Sequence, residues 1–245
     1  MSYDEGQTIF YRSNCSDNAA MTINQYEQIY QTLKHQGAPA WTDKGYARAW
    51  ENLCITLARI QDSGILPAPG AISLELGCGN GAMASLWLSR HGYQVYGVDI
   101  SPTAIGWATE SFRAQGLEGH FNVADISAPV ALLSQHFDLI YDGSCLHCLT
   151  GEQRTHCFEN IRHALKPEGM LIISSMCGEP KRDEDRLNYD AERFQLNKDG
   201  QPWRTLLPLD LLQEEITAQG FVIAQTQVHE NPWWDHATLC CYLRT

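Results

Sequence analysis

The stretch Leu74-Glu-Leu-Gly-Cys-Gly-Asn-Gly81 constrains this chain more than any other. It joins an apolar run, Ile72 to Leu76, that reads as a strand to an amphipathic run, Ala82 to Arg90, that reads as a helix. Glycines at 77, 79 and 81 let the backbone turn tightly and approach a ligand closely, and the helix amino terminus beyond them offers unpaired N–H groups. Asp99 ends the next predicted strand, Gln94 to Val98, twenty residues beyond Gly79. A carboxylate at that distance meets ribose hydroxyls in nucleoside-binding βαβ units.

The same alternation of short apolar runs and amphipathic stretches continues, which predicts an α/β fold with one mainly parallel sheet. Ser101-Pro102 supplies a cap and a first-turn proline for a helix ending near Gly116. His120 to Ala124, Phe137 to Tyr141 and Met170 to Ser175 read as strands, and Thr150-Gly-Glu-Gln153 reads as a capping box for a helix to Leu165. Leu209 to Gln219 reads as a helix closed by Gly220, and Phe221 to Thr226 and Ala237 to Leu243 complete a seven-stranded sheet. Residues 1–65, with helical patterning at Thr22 to Leu33 and Lys44 to Ile60, precede that rhythm and are expected to form a helical cover on the 66–245 domain. At about 178–207 the text turns polar, and Phe194 to Leu196 with Gln201 to Trp203 predicts an inserted hairpin placed to act as a substrate lid.

Composition narrows the partners. A formal net charge of −12 with no basic cluster disfavours nucleic acid and anionic membrane surfaces. No apolar run approaches the roughly 20 residues that span a bilayer. Met1 to Ser13 carries Asp4, Glu5 and Arg12 rather than a secretion signal, so a cytoplasmic location is expected, with the nine cysteines as reduced thiols.

Gly77-Cys-Gly79-Asn-Gly-Ala82 also satisfies the looser dinucleotide fingerprint. Glu75 weighs against it, since an acid two residues before the first glycine repels a pyrophosphate and attracts an ammonium group. Acids recur at Asp125 and Asp142, giving a rim suited to a cationic ligand. At these residues the chain resembles the class I S-adenosylmethionine-dependent methyltransferases, in motif order over roughly Ala71 to Ser175. ELGCGNG at 75–81 is similar to that family's first motif and VYGVDIS at 95–101 to its second. Phe121 to Ile126, Phe137 to Asp142 and Leu165-Lys-Pro-Glu-Gly169 resemble the later ones. The resemblance implies a Rossmann-like sheet in strand order 3-2-1-4-5-7-6 with the seventh strand antiparallel, and S-adenosyl-L-methionine as cofactor. It implies that Glu75, Gly77, Cys78 and Gly79 hold the methionine part, Asp99 the ribose, Ile100 the adenine face and Asp125 its amino group, with Ile126 and Asp142 also in the cofactor site.

Methyl transfer from a sulfonium is an in-line displacement that needs positioning and water exclusion more than a strong acid or a metal. His147, after the fourth strand, is the candidate general base or substrate-orienting group, set against a packing role. Cys145, His147, Cys148, His156 and Cys157 invite a zinc reading, but no second CxxC or HxxxH partner accompanies them, and no metal is expected. Trp41, Tyr46, Tyr189, Arg193, Trp203 beside Arg204, Trp233, Trp234 and His236 are the large groups expected to close over an acceptor. The leading expectation is a methyltransferase acting on a small molecule; a protein or RNA acceptor, or a non-catalytic cofactor-binding partner, stands as the alternative.

Overall fold

The computed structural model describes residues 17–128, 136–198 and 200–244. The first 16 residues of the expected cover lie outside that range. Strands β1 (Ile72–Leu76), β2 (Gln94–Asp99), β3 (His120–Val123), β4 (Phe137–Gly143), β5 (Leu165–Cys177), β9 (Phe221–His229) and β10 (Asp235–Leu243) form one sheet in the order β3-β2-β1-β4-β5-β10-β9. The first five are parallel, and β10 runs antiparallel to both neighbours. Counted along this sheet the order is 3-2-1-4-5-7-6, as the motifs imply. It follows from the connections: helices bridge β1 to β2, β2 to β3 and β4 to β5, whereas the short 230–234 link between β9 and β10 permits only an antiparallel return.

Period-two alternation deals the central strands' side chains onto two apolar layers. Ile140, Leu171 and Ile173 join Phe158 and Ile161 of α5 (Glu152–Ala164) and Ile216 of α7 (Leu209–Ala218) on one face. Leu139, Tyr141 and Ile172 join Leu57 and Ile60 of α2 (Tyr46–Asp62), Trp87 of α3 (Ala84–Arg90) and Phe112 of α4 (Pro102–Ala114) on the other.

Local signals place most helix ends. Ser101 caps α4, its Oγ accepting the Ala104 N–H at 3.1 Å. The box at Thr150 is half made: the Thr150 N–H donates to Gln153 Oε1 at 3.1 Å, but the helix starts at Glu152 and no side chain caps it. Helix α3 begins at Ala84 rather than Ala82, because the glycine loop uses two more residues to turn. Strands β5, β9 and β10 outrun their predicted bounds, which moves Asp235 and His236 out of the connection and into β10.

Two helices precede β1, α1 (Asp17–His35) and α2, and α1 is tied to the sheet at named points. Glu27 sits at the amino end of α4, where its carboxylate accepts from Ser101 Oγ (2.6 Å), the Thr103 N–H (3.1 Å) and Thr103 Oγ1. Those hydrogen bonds outweigh burial and hold its carboxyl below the usual range. The inserted hairpin is present as β7 (Gln195–Lys198) and β8 (Gln201–Thr205), after a short helix α6 (Asp183–Arg186). A two-residue strand that the sequence did not announce, β6 (Tyr189–Asp190), makes the insertion three-stranded. Among the described residues no helix is long and apolar enough to cross a membrane.

Candidate active site

A cavity of about 520 Å³ opens over the carboxyl ends of β1, β2 and β4, roofed by α1, the inserted sheet and the β9–β10 connection. It lies beside the place where strand order reverses between β1 and β4, the usual ligand crevice of an open α/β sheet. Its volume suits a small molecule.

One end is the glycine loop. Gly77 and Gly79 take φ of +65° and +55°, and a Cβ at Gly77 would meet Cys145 Cβ at 2.9 Å, so both the bend and the neighbours require glycine. Asp99 accepts from the Gly79 N–H (3.0 Å), the Ser101 N–H (3.0 Å) and, more weakly, the Tyr30 hydroxyl (3.4 Å). Burial pushes its carboxyl up to about 6 against those donors. Glu75 accepts from the backbone N–H (2.7 Å) and Oγ (2.5 Å) of Ser85, and burial pushes it up to about 7. Its carboxylate therefore also satisfies the first turn of α3. Cys78, Ile100, Asp125 and Ile126 line the same end, with Asp125 receiving the Ser127 N–H (2.9 Å) and Oγ (2.6 Å) in a turn after β3.

Asp142 stands apart from the expected ligand set. It is 1% exposed, outside the cavity wall, and its Oδ1 accepts the N–H groups of Cys145 (2.8 Å) and Leu146 (2.9 Å). Its role in the fold is to shape the 3-10 turn Leu146–Cys148 that presents Cys145, His147 and Cys148 to the cavity.

His147 faces the other end. The Met176 N–H reaches its Nδ1 at 3.3 Å. A backbone N–H can only donate, so Nδ1 is the acceptor and the neutral ring carries its proton on Nε2. Burial, then the nearby Arg204 and His236, holds the imidazole well below its usual range. His147 is therefore a neutral N–H donor, and the general-base reading loses its free lone pair. His236 pairs with His229 across β9 and β10, and its Nε2 lies 2.8 Å from Ser174 Oγ. Enclosure by protein, then His229, pushes it down to about 4.

Trp41, Trp233, Trp234 and His236 line the cavity, but four of the expected closing groups do not. Tyr46 donates to the Ala82 carbonyl (3.2 Å) and braces the glycine loop from outside. Tyr189 donates to the Leu206 carbonyl at 2.9 Å, within the insertion. Arg193 is exposed, its backbone N–H donating to Asp190 Oδ1 at 3.0 Å. Trp203 stacks under Arg204, 4.0 Å from guanidinium carbon to ring centre, and supports the wall from behind. Tyr26 and Tyr30 of α1 and Asn80, whose amide donates to the Pro39 carbonyl (2.8 Å), were missed. The two tyrosines share one helix face at i and i+4, a spacing visible inside Thr22 to Leu33.

Among the described residues no group of three or more His, Cys, Asp or Glu side chains is arranged to hold a metal. His156 Nδ1 instead lies 3.0 Å from the Ser127 carbonyl, and Cys157 packs in the core.

The doubly wound sheet with a nucleoside-suited crevice over a glycine loop places the chain in the Rossmann-like class. Residues 74–169 match the family described as a methyltransferase domain. It is 43% identical over 65 residues to the ribosomal RNA small subunit methyltransferase C of Alcanivorax borkumensis, covering 26% of this chain and 19% of that protein. It is 30% identical over 127 residues to phosphoethanolamine N-methyltransferase 1 of Zea mays, covering 51% and 25%. The chain thus spans a quarter or less of the length of these two curated relatives. Its fold is shared along the whole chain with the 1,6-didemethyltoxoflavin-N1-methyltransferase of Burkholderia thailandensis, solved with 1,6-didemethyltoxoflavin and S-adenosylhomocysteine bound. That likeness has a TM-score of 0.68 at 18% identity, covering 100% of this chain and 99% of the other.

The residues at the glycine-loop end fit S-adenosylmethionine: a backbone cradle that a side chain would fill, a strand-end carboxylate able to accept from a diol, and acids suited to a cation.

Proposed function

We propose that this protein transfers a methyl group from S-adenosylmethionine to a nucleophilic atom of a small-molecule acceptor bound in the same cavity. The observation that carries the reading is that one cavity is lined both by the glycine loop with Glu75, Asp99 and Asp125 and by His147, His236 and three tryptophans. S-adenosylmethionine supplies an electrophilic methyl on a sulfonium. Gly77, Cys78 and Gly79 cradle its amino-acid part, Asp99 accepts from the ribose, and Ile100, Asp125 and Ile126 receive the base. Glu75 holds α3 in place and adds negative charge beneath the cationic end.

At the other end, Nε2–H of His147 orients the acceptor, and Trp41, Trp233, Trp234 and His236 enclose it and keep water out. The chain's division into a 1–65 cover and a 66–245 catalytic domain carrying an insertion at 178–207 belongs to this reading, with α1 and β8 as the movable roof. The roof's latch at Glu27 and the place of Arg204 in the cavity wall support it. The cavity of about 520 Å³ and the net charge of −12 favour a small acceptor over RNA. The test is incubation with methyl-labelled donor and either a metabolite extract or intact protein and RNA. Label in small products supports the reading, and label only in macromolecules overturns it.

A further inference from the structure

The cavity wall contains one Lys or Arg among its described residues, Arg204 of β8, at 8% exposed. Its flat faces are occupied: Trp203 stacks 4.0 Å from the guanidinium carbon and Tyr26 lies 5.8 Å away. Its Nη1 donates to the Tyr26 hydroxyl (2.8 Å) and to the Trp203 carbonyl (2.9 Å). Both acceptors are neutral. Among the described residues no carboxylate pairs with it, whereas Arg154, comparably buried, pairs with Glu215. Nε and Nη2 find no acceptor among the described residues.

A mostly buried guanidinium without a counter-ion keeps only part of its solvation, its free nitrogens reaching the open cavity rather than sealed protein. Stacking on rings offsets part of the lost solvation and fixes the plane of the fork, leaving the remaining edge for a ligand. The neighbours exclude the obvious internal partners. His147 and His236 are held neutral beside it, and the acids of the cavity wall, Glu75, Asp99 and Asp125, are at the glycine-loop end and engaged with backbone or serine donors. The surroundings are apolar and aromatic, with Leu149, Trp41 and Trp234 in the same wall.

From this we infer that the acceptor is an organic anion: Arg204 binds a carboxylate, a phosphate or an ionised heterocycle, carried on an apolar or aromatic body, through its free guanidinium edge. The inference rests on the proposed function, since it names the class of substrate for that site. The sulfonium donor and an anionic acceptor are then drawn to opposite ends of one cavity by opposite charges, acids for the first and Arg204 for the second. Two parallel N–H bonds to the anion also fix its plane, which a single histidine donor cannot do.

The test uses protein loaded with S-adenosylhomocysteine and titrated with benzoate and with benzamide, which share a ring and differ in charge. Benzoate is expected to bind about tenfold tighter or better. In Arg204→Gln that preference should vanish with S-adenosylhomocysteine affinity within about twofold of native, and Arg204→Lys, which keeps the charge without the fork, should keep part of it. Equal binding of the two probes by native protein, or binding of neither, overturns the inference. So does a parallel loss of S-adenosylhomocysteine affinity in Arg204→Gln, which would assign the guanidinium to the donor's own carboxylate. If native protein fails to bind S-adenosylhomocysteine, the proposed function fails, and the benzoate preference of the free protein decides the anion site separately.

Discussion

The glycine-loop end and the acceptor end of the cavity are assembled on different principles. The first is mainly local: β1, the loop, α3 and the end of β2 fall between residues 72 and 101, joined by Asp125 and Ile126 from the turn after β3. The second draws residues from α1, the turn after β4, β5, β8 and the β9–β10 strands, some 200 residues apart in the chain. A site built from one supersecondary unit keeps its geometry as long as that unit folds. A site gathered from distant pieces can change one piece at a time, and so can change its ligand.

That contrast is open to attack at the local end first. Gly77→Val puts a branched side chain at φ +65° and against Cys145, and should weaken S-adenosylhomocysteine by more than about 100-fold while destabilising the fold by about 2–4 kcal/mol. Calorimetry and thermal unfolding together would report both, and native affinity in this variant would break the comparison. Asp99→Ala should weaken the same ligand by about 1.5–3 kcal/mol through lost charge-assisted hydrogen bonds. A nicotinamide dinucleotide bound in preference would count against the cofactor instead.

The pH dependence sharpens the same point. Asp99 must be ionised to accept from a diol, and burial holds its carboxyl at about 6, so a proton competes with the ligand below that value. Cofactor affinity should therefore rise as pH increases from 5 to 8 and level off above about 7. A flat profile would show that the carboxylate is not used.

At the acceptor end the effects are smaller and separate from cofactor binding. His147→Gln should raise the acceptor's Michaelis constant by about 3–10-fold, as expected for one hydrogen bond, with native cofactor affinity. The native rate should show no limb near pH 6.5, because the ring stays neutral there. A limb at that pH, abolished in the variant, would restore the general-base role. Glu27→Gln should cost about 1 kcal/mol of stability and speed hydrogen exchange in α1, leaving β1 and β2 protected.

The sequence made the local end readable because its signals are short-range: glycines, a strand-end acid and a cap within thirty residues. Asp142 shows the limit. A strand-end acid looks alike in the text whether it meets a ligand or the N–H groups of its own turn, and only the bend at Cys145 and Leu146 separates the two. At the acceptor end, residue type identified bulky groups but not their direction. Tyr46, Tyr189 and Trp203 turn to backbone carbonyls or to Arg204, while Tyr26 and Tyr30 were passed over inside an ordinary amphipathic stretch. His236 was placed in a connection because strand β10 begins with polar residues. Strand β6, two residues long, has no periodicity to detect.

Glu27 binds the amino end of α4 one turn after Asp99, on the same helix that lends Tyr26 and Tyr30 to the cavity. Helix α1 cannot lift from the cavity without giving up the Glu27 hydrogen bonds to the amino end of α4, where Ser101 remains as the cap. Traffic through that side therefore meets a kinetic toll set by a helix end rather than by the ligand: about 1 kcal/mol, or roughly fivefold in rate. The residence time of spent cofactor is then adjustable by substitutions at Ser101 or Thr103, neither of which lines the cavity.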